Sequence, residues 1–180
     1  MWLWLKKPGV GLALFGGAAG MALFLFAFDY GMAKTNTMEF CISCHEMRDN
    51  VYQEYKKSYH FSNATGVQAT CVDCHVPLEY PDQLYAKIIA AKDVYHTIIG
   101  TIDTREKFEA NRLAMAKRVW AGMERRESKE CRNCHKIVDM RLDEQGRRAR
   151  RVHEEAAQNG SHCIQCHKGI VHQLPEGYEK

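Results

Sequence analysis

The 180-residue sequence has little net charge: 25 lysines and arginines stand against 22 aspartates and glutamates, a formal +3. The concentrated basic surface that nucleic-acid binding requires is absent, so no nucleic-acid partner is expected. No stretch alternates apolar and polar residues with the period of a half-buried strand, which leaves a mainly α fold with little or no β. Beyond residue 30 the chain is rich in charge and modest in aliphatic side chains, a poor basis for a conventional core. Cysteine is missing everywhere except in four C-x-x-C pairs.

One apolar run is present. Val10 to Phe28, "VGLALFGGAAGMALFLFAF", is nineteen residues without a charge, close to the roughly 20 needed to cross a bilayer as a helix. Lys6 and Lys7 precede it and Asp29 follows it. The positive-inside rule therefore places the N-terminus in the cytoplasm and everything after Tyr30 on the outer side. Trp2 and Trp4 are candidates for the interfacial belt. A cleaved signal peptide would share the basic start, but the run is long for its apolar region. The expectation is a retained anchor over residues 1–30, spanning about 10–28, followed by an aqueous domain over 31–180. Gly16 and Gly20 form G-x-x-x-G, which permits close helix pairing and hence a homo-oligomer.

The cysteines supply the chemistry. Cys41/Cys44, Cys71/Cys74, Cys131/Cys134 and Cys163/Cys166 are each followed at once by histidine: His45, His75, His135 and His167. With nine histidines in the chain, chance places one at all four sites on the order of 1 time in 100,000, and C-x-x-C-H is the attachment signature of c-type haem. Disulfides or a zinc ribbon explain the cysteines but not the histidines. On a helical turn, cysteines at i and i+3 reach the porphyrin vinyls while histidine at i+4 points its imidazole at the iron. Four covalent haem c groups are therefore expected, and they supply the missing apolar bulk.

The sites fall in two halves, about 38–100 and 128–180. The cysteines that open the two sites are 30 residues apart in the first half (Cys41, Cys71) and 32 in the second (Cys131, Cys163). One histidine precedes the second site of each half, His60 by eleven residues and His153 by ten, as in a duplicated dihaem unit. The connector reads as two helices. The first is Leu84 to Ile99, ending at Gly100. The second starts at a capping-box-like Asp103 and Glu106, with Phe108, Met115, Val119 and Met123 at helical spacing to about Arg126. "DEQGRRARR", Asp143 to Arg151, reads as a solvated basic loop, with a docking patch for an acidic partner as the alternative.

A haem that only passes electrons usually takes two strong axial ligands. Outside the attachment motifs stand His60, His96, His153, His162 and His172. The quasi-repeat favours His60 and His153 as sixth ligands. His172 is too near His167 to share its iron easily but can reach a neighbour. Three good donors for four haems leave one short.

"FCISCHEM", "GVQATCVDCHVP", "DTREKFEANRLAMA", "SKECRNCH" and "CIQCHKGIVHQLP", together with the single anchor, resemble the NapC/NirT family of membrane-anchored multihaem cytochromes over nearly the whole chain. The resemblance implies a quinol dehydrogenase of the bacterial inner membrane with its haem domain in the periplasm. Its substrate would be menaquinol or ubiquinol, and its partner a soluble periplasmic reductase, nitrate reductase first. The relatives NrfH, a donor to nitrite reductase, and CymA, a branching donor, mark alternative outcomes. A passive electron wire with no quinone site is a third. Direct nitrite reduction is disfavoured, since no C-x-x-C-K motif is present.

By the same resemblance the distal histidines are His60, His153 and His172, serving the fourth, second and third haems in that order. Met47, two residues after His45, matches a methionine that replaces histidine on the first haem. Thioether sulfur is a softer ligand and raises the potential. The other reading leaves His45 on the iron with Met47 packed at the porphyrin edge. Lys87 and Asp93 match the family's quinone-site lysine and acid, with Asp93 as the base. Six residues put them about 120° apart on an ideal helix, so Lys87 needs its long stem to converge. His96, one turn from Asp93, is a candidate for a hydrogen bond to quinol or propionate, for a sixth ligand, or for an ordinary surface residue.

Overall fold

The computed structural model describes residues 8–179; Trp2, Trp4, Lys6 and Lys7 lie outside the described residues. The apolar run lies in helix α1 (Pro8–Lys34), 27 residues, or about 40 Å at 1.5 Å per residue. The most apolar 18 residues within Gly9–Lys34 have a mean hydropathy of 2.1, and none of that window is buried against the rest of the chain. A helix apolar on all sides and packed on nothing else in the described chain is long and apolar enough to cross a bilayer. It runs six residues beyond the expected span, to Lys34.

The remainder is short helices around two longer ones. In chain order they are α2 (Met38–Cys41), a π turn (Met47–Val51) running into α3 (Tyr52–Tyr55), α4 (Cys71–His75), α5 (Asp82–Ile98) and α6 (Arg105–Arg125). Then come α7 (Lys129–Arg132), 3-10 turns at Ile137–Asp139 and Leu142–Glu144, α8 (Arg147–Asn159) and α9 (Cys163–Cys166). No strand occurs among the described residues, as expected.

The connector is two helices, with small shifts. Helix α5 begins two residues earlier than Leu84 and stops before Gly100, whose φ of 70° ends the helix. Helix α6 is capped by Thr104, not Asp103: the Thr104 hydroxyl accepts from the Lys107 N–H at 3.3 Å. Threonine satisfies one of the orphan donors of the first turn, and Asp103 instead pairs with the Lys107 ammonium at 2.7 Å. The expected loop Asp143–Arg151 is also corrected. Its arginines open α8, which starts after Gly146 and ends at Gly160, left-handed at φ 72°. Arginine is a good helix former, and a glycine at each end delimits the segment.

Among the described residues only Tyr55, Ile102, Phe108, Met123 and Ile164 are buried hydrophobics. Val119, in the middle of the α6 stripe, is 37% exposed although Phe108 and Met123 at its ends are buried. The protein thus makes isolated apolar contacts with no continuous core. Helix α2 packs on α4, α4 on α7, and α6 on α9, so the two halves interlock.

Candidate functional site

Each attachment turn is shaped by the residues between and before its cysteines. In α4 the Asp73 carboxylate accepts from both the N–H and the hydroxyl of Thr70, each at 2.6 Å. In α9 the Gln165 carbonyl accepts from the His162 N–H at 3.0 Å, the same back-reach from the third helical position. In α2 the Thr37 hydroxyl caps Phe40 N–H at 3.2 Å. Helix α7 is entered through Glu127 and Ser128, both at positive φ (54° and 52°). The Ser128 hydroxyl, fully buried, accepts from Ile164 N–H at 3.2 Å and so ties α7 to α9.

The expectation that both cysteines of each pair share one helical turn holds for Cys71 and Cys74 on α4 and for Cys163 and Cys166 on α9. It is corrected for the other two pairs. Helix α2 ends at Cys41, and Cys44 lies three residues beyond it in a bend, with an exposed thiol. The cause is Ser43: its hydroxyl and its N–H both donate to the Phe40 carbonyl, at 2.7 and 3.2 Å. That tightens the chain into a turn and takes up the acceptor that would have continued the helix toward Cys44. Cys134 likewise falls past the end of α7, exposed, in a turn closed by the His135 N–H on the Cys131 carbonyl at 2.8 Å. Cys44 and Cys134 still stand three residues after their partners and directly before their histidines, so the covalent reading of both pairs rests on that order and not on a shared helix.

All eight cysteines, Cys44 included, are free thiols, and no cluster of three or more His, Cys, Asp or Glu converges among the described residues. The motifs adjoin in chain order: Cys41 neighbours Cys71, whose thiol donates to Met38 Sδ at 3.3 Å, Cys74 neighbours Cys134, and Cys131 neighbours Cys163.

Three motif histidines each face one distal histidine. Ring centres are 6.1 Å apart for His60 and His135, 6.2 Å for His75 and His172, and 5.8 Å for His153 and His167. Two imidazoles on opposite sides of one metal, each bonded at about 2.0–2.1 Å, bring their ring centres to roughly 6 Å. The His75 imidazole lies deep among surrounding groups although part of the residue stays open to solvent, and desolvation pushes it down to about 4. Burial lowers His60 and His172 as well. A lowered pKa favours the neutral ring, the form that offers a metal its lone pair. Nδ1 of His60, His96, His162 and His172 is buried without a hydrogen-bond partner. Free paired thiols, facing imidazoles and a missing core fit haem c at all these turns but leave the first motif unlike the others.

The order implied by the resemblance is not the one the fold makes. His60 stands against the third motif, His153 against the fourth and His172 against the second. The causes are local. His60 is held beside α4 by the hydrogen bond from Ala69 N–H to its carbonyl (3.0 Å), and α4 packs on α7. Only residues 160–162 separate α8 from α9, which keeps His153 near His167. The tail after α9 turns at Gly169 and brings His172 back to His75.

Around the first motif the geometry differs. Among the described residues no histidine ring pairs with His45. Its Nε2 lies 3.3 Å from the Glu46 carboxylate, which is 2% exposed and otherwise without a hydrogen-bond partner. Met47 begins the π turn. A π turn inserts a residue into the helical ladder, re-aims the side chains after it, and is frequent at functional sites.

Lys87 and Asp93 do not converge. The Lys87 ammonium donates to the Thr35 carbonyl at 2.6 Å, at the foot of α1. It lies beside Cys41, and burial lowers its pKa. Asp93 reaches solvent toward Arg118 and His96, and partial desolvation raises its carboxyl above the usual range. Both residues lie on α5, and Lys87's stem turns toward the anchor. His96 sits with Asp93, its Nδ1 unpartnered.

Several residues escaped the sequence reading. Gln145 places its carbonyl 2.6 Å from His153 Nδ1, which fixes the tautomer with Nε2 free. Arg112, 8% exposed, joins Glu54, Glu109 and the tail. An arginine in the middle of a helix, on the same side as Phe108 by its spacing, was the available signal.

Comparison with known proteins accounts for these features. A model of the NapC/NirT cytochrome c family, N-terminal region, matches residues 4–177. Denitrification system component NirT of Stutzerimonas stutzeri is 52% identical over 96% of this chain and 88% of its own. A putative tetraheme cytochrome c of Allochromatium vinosum is 52% identical over 92% and 88%. The cytochrome c-type protein NapC of Escherichia coli K12 is 48% identical over 98% and 90%. A helix long and apolar enough to cross a membrane, four haem-attachment turns and this match over nearly the full length make the chain a membrane-associated electron-transfer cytochrome, and it belongs to the NapC/NirT cytochrome c family.

Proposed function

We propose that this protein oxidises menaquinol or ubiquinol at the outer face of the bacterial inner membrane and delivers the electrons to a soluble periplasmic reductase. The observation that carries the reading is the first motif: it lacks a facing histidine and stands where Lys87 joins α5 to the foot of the anchor. Haem c, when bound, takes and passes single electrons. His75 with His172, His135 with His60, and His167 with His153 would hold three of the irons. Met47 or His45 holds the fourth, and the 3.3 Å contact of His45 with Glu46 favours Met47.

A quinol leaving the bilayer beside Thr35 meets the Lys87 ammonium, which orients a quinol oxygen. Asp93, on another face of α5 with its carboxyl lifted by desolvation, takes up the protons the quinol releases and passes them to the outer aqueous phase, with His96 beside it. A base whose pKa approaches the working pH suits that transfer. The motifs adjoin in chain order, so electrons enter at the first and leave near the fourth. Nitrate reductase is the reductase we propose, by resemblance to NapC. The NirT relative's name favours a denitrification enzyme as the second reading.

Asp93→Asn tests the entry site. Menaquinol oxidation is expected to stop while all four haems stay attached. Unchanged turnover would instead identify a passive wire fed by another subunit. Stopped-flow reduction of separately purified candidate reductases then identifies the acceptor.

A further inference from the structure

Among the described residues the tail that carries His172 has no helix or strand after α9, yet His172 must be placed as accurately as a residue on a rigid element. We propose that Glu54 and Arg112 form a clamp that positions His172 against His75, making them positioning residues for the second haem.

Three segments distant in sequence meet at this point. From α6, Arg112 Nη2 donates to Glu54 Oε2 at 2.6 Å and to the Gln173 carbonyl at 2.9 Å. Its Nη1 donates to Glu109 at 3.1 Å. From α3, the same Glu54 oxygen accepts from the Gln173 N–H at 2.9 Å. Both backbone groups of the residue next to His172 are therefore held, one by each member of a buried ion pair. Glu54 Oε2 also lies 3.8 Å from His172 Nδ1, a nitrogen with no hydrogen-bond partner of its own. The pair is well sequestered, with Arg112 and Glu54 side chains 9% and 13% exposed. A buried, multiply bonded arginine–carboxylate pair is costly to break from one side, so it is a stiff anchor. Downstream, Pro175 is buried and Tyr178 packs on Trp120 at 5.0 Å. The tail thus approaches α6 at several points, and the clamp holds the residue beside the ligand.

Carboxylates behind metal-bound histidines orient the ring and raise its basicity. Glu54 acts here both through the backbone and through its charge near the imidazole. Loss of that charge removes stabilisation of the ferric state, so the midpoint potential of this haem rises. The inference rests on the proposed ligation of one iron by His75 and His172, and its test separates the two.

The experiment uses the full-length haem-loaded protein in detergent. His172→Ala, Glu54→Ala, Glu54→Gln and Arg112→Lys are compared by haem content, low-temperature electron paramagnetic resonance and redox titration. His172→Ala is expected to convert one low-spin centre to high-spin, with imidazole restoring it. If it leaves the low-spin signals unchanged, the ligation reading fails. Glu54→Ala is expected to convert a measurable fraction of the same centre. Glu54→Gln and Arg112→Lys, which fold with four haems, are expected to keep it low-spin but to shift its g-values, and Glu54→Gln also raises its midpoint potential. If His172→Ala moves that signal while both conservative variants match wild type in g-values and potential, the clamp is overturned.

Discussion

At the scale of single residues, covalent chemistry was legible and orientation was not. The vinyl spacing of a porphyrin demands cysteines three apart with histidine next, so all eight cysteines and four histidines could be named from their order. Their local backbone could not: Ser43 turns the chain before Cys44, which no spacing rule anticipates. Which distal ring meets which motif depends on packing, since His60 lies nearest in sequence to the second motif yet faces His135 of the third. Gln145 behind His153 and Glu46 beside His45 have no motif of their own. Asp93 carries a prediction at this scale. Partial burial raises its carboxyl, so the proton-accepting form is lost as pH falls through a value above the ordinary carboxylate range. Quinol oxidation is expected to rise with pH along a titration curve centred above that range. A curve centred at an unperturbed carboxylate value would remove Asp93 from the reaction.

At the scale of elements, periodicity located α1, α5 and α6, while boundaries were decided by caps. Thr104 took the cap from Asp103 because a hydroxyl one residue nearer the helix reaches the Lys107 N–H. The arginine-rich run became the start of α8, where positive charge opposes the helix dipole by about 0.3–1 kcal/mol per residue near the end. Charge composition alone suggested a loop there, but the glycines at 146 and 160 bound a helix of good formers. The turn after α9 is the element on which His172 depends. Gly169 has φ 79°, and a Cβ there would sit 2.8 Å from Leu174 Cγ. Gly169→Ala combines that clash with a left-handed backbone that costs about 1–2 kcal/mol for a non-glycine residue. It is expected to raise the high-spin fraction of the second haem. A visible spectrum identical to wild type, with no high-spin band gained, would show that the tail tolerates the change.

At the scale of the whole molecule, the chain lacks a core of its own. Five buried hydrophobic side chains among the described residues fall far short of what ordering a domain costs, about 1–2 kcal/mol per residue in backbone entropy. Haem surfaces must fill the space between α2, α4, α7 and α9. When the protein is made without haem attachment, amide hydrogen exchange is expected to show protection confined to α1 in detergent, with residues 35–179 exchanging as an unfolded chain. Slow exchange in α6 of that material would mean that the helices hold together unaided.

The order of residues alone determined the attachment chemistry, the number of haems, the anchor and the helical class, because each follows from contacts within about one helical turn or one bilayer thickness. Only the tertiary structure decided the pairing of distal histidines, the divergence of Lys87 from Asp93 and the clamp on the tail. Those depend on segments brought together from distant parts of the chain, as when Glu54, Arg112 and Gln173 meet at one point, and no local pattern encodes which surfaces will touch.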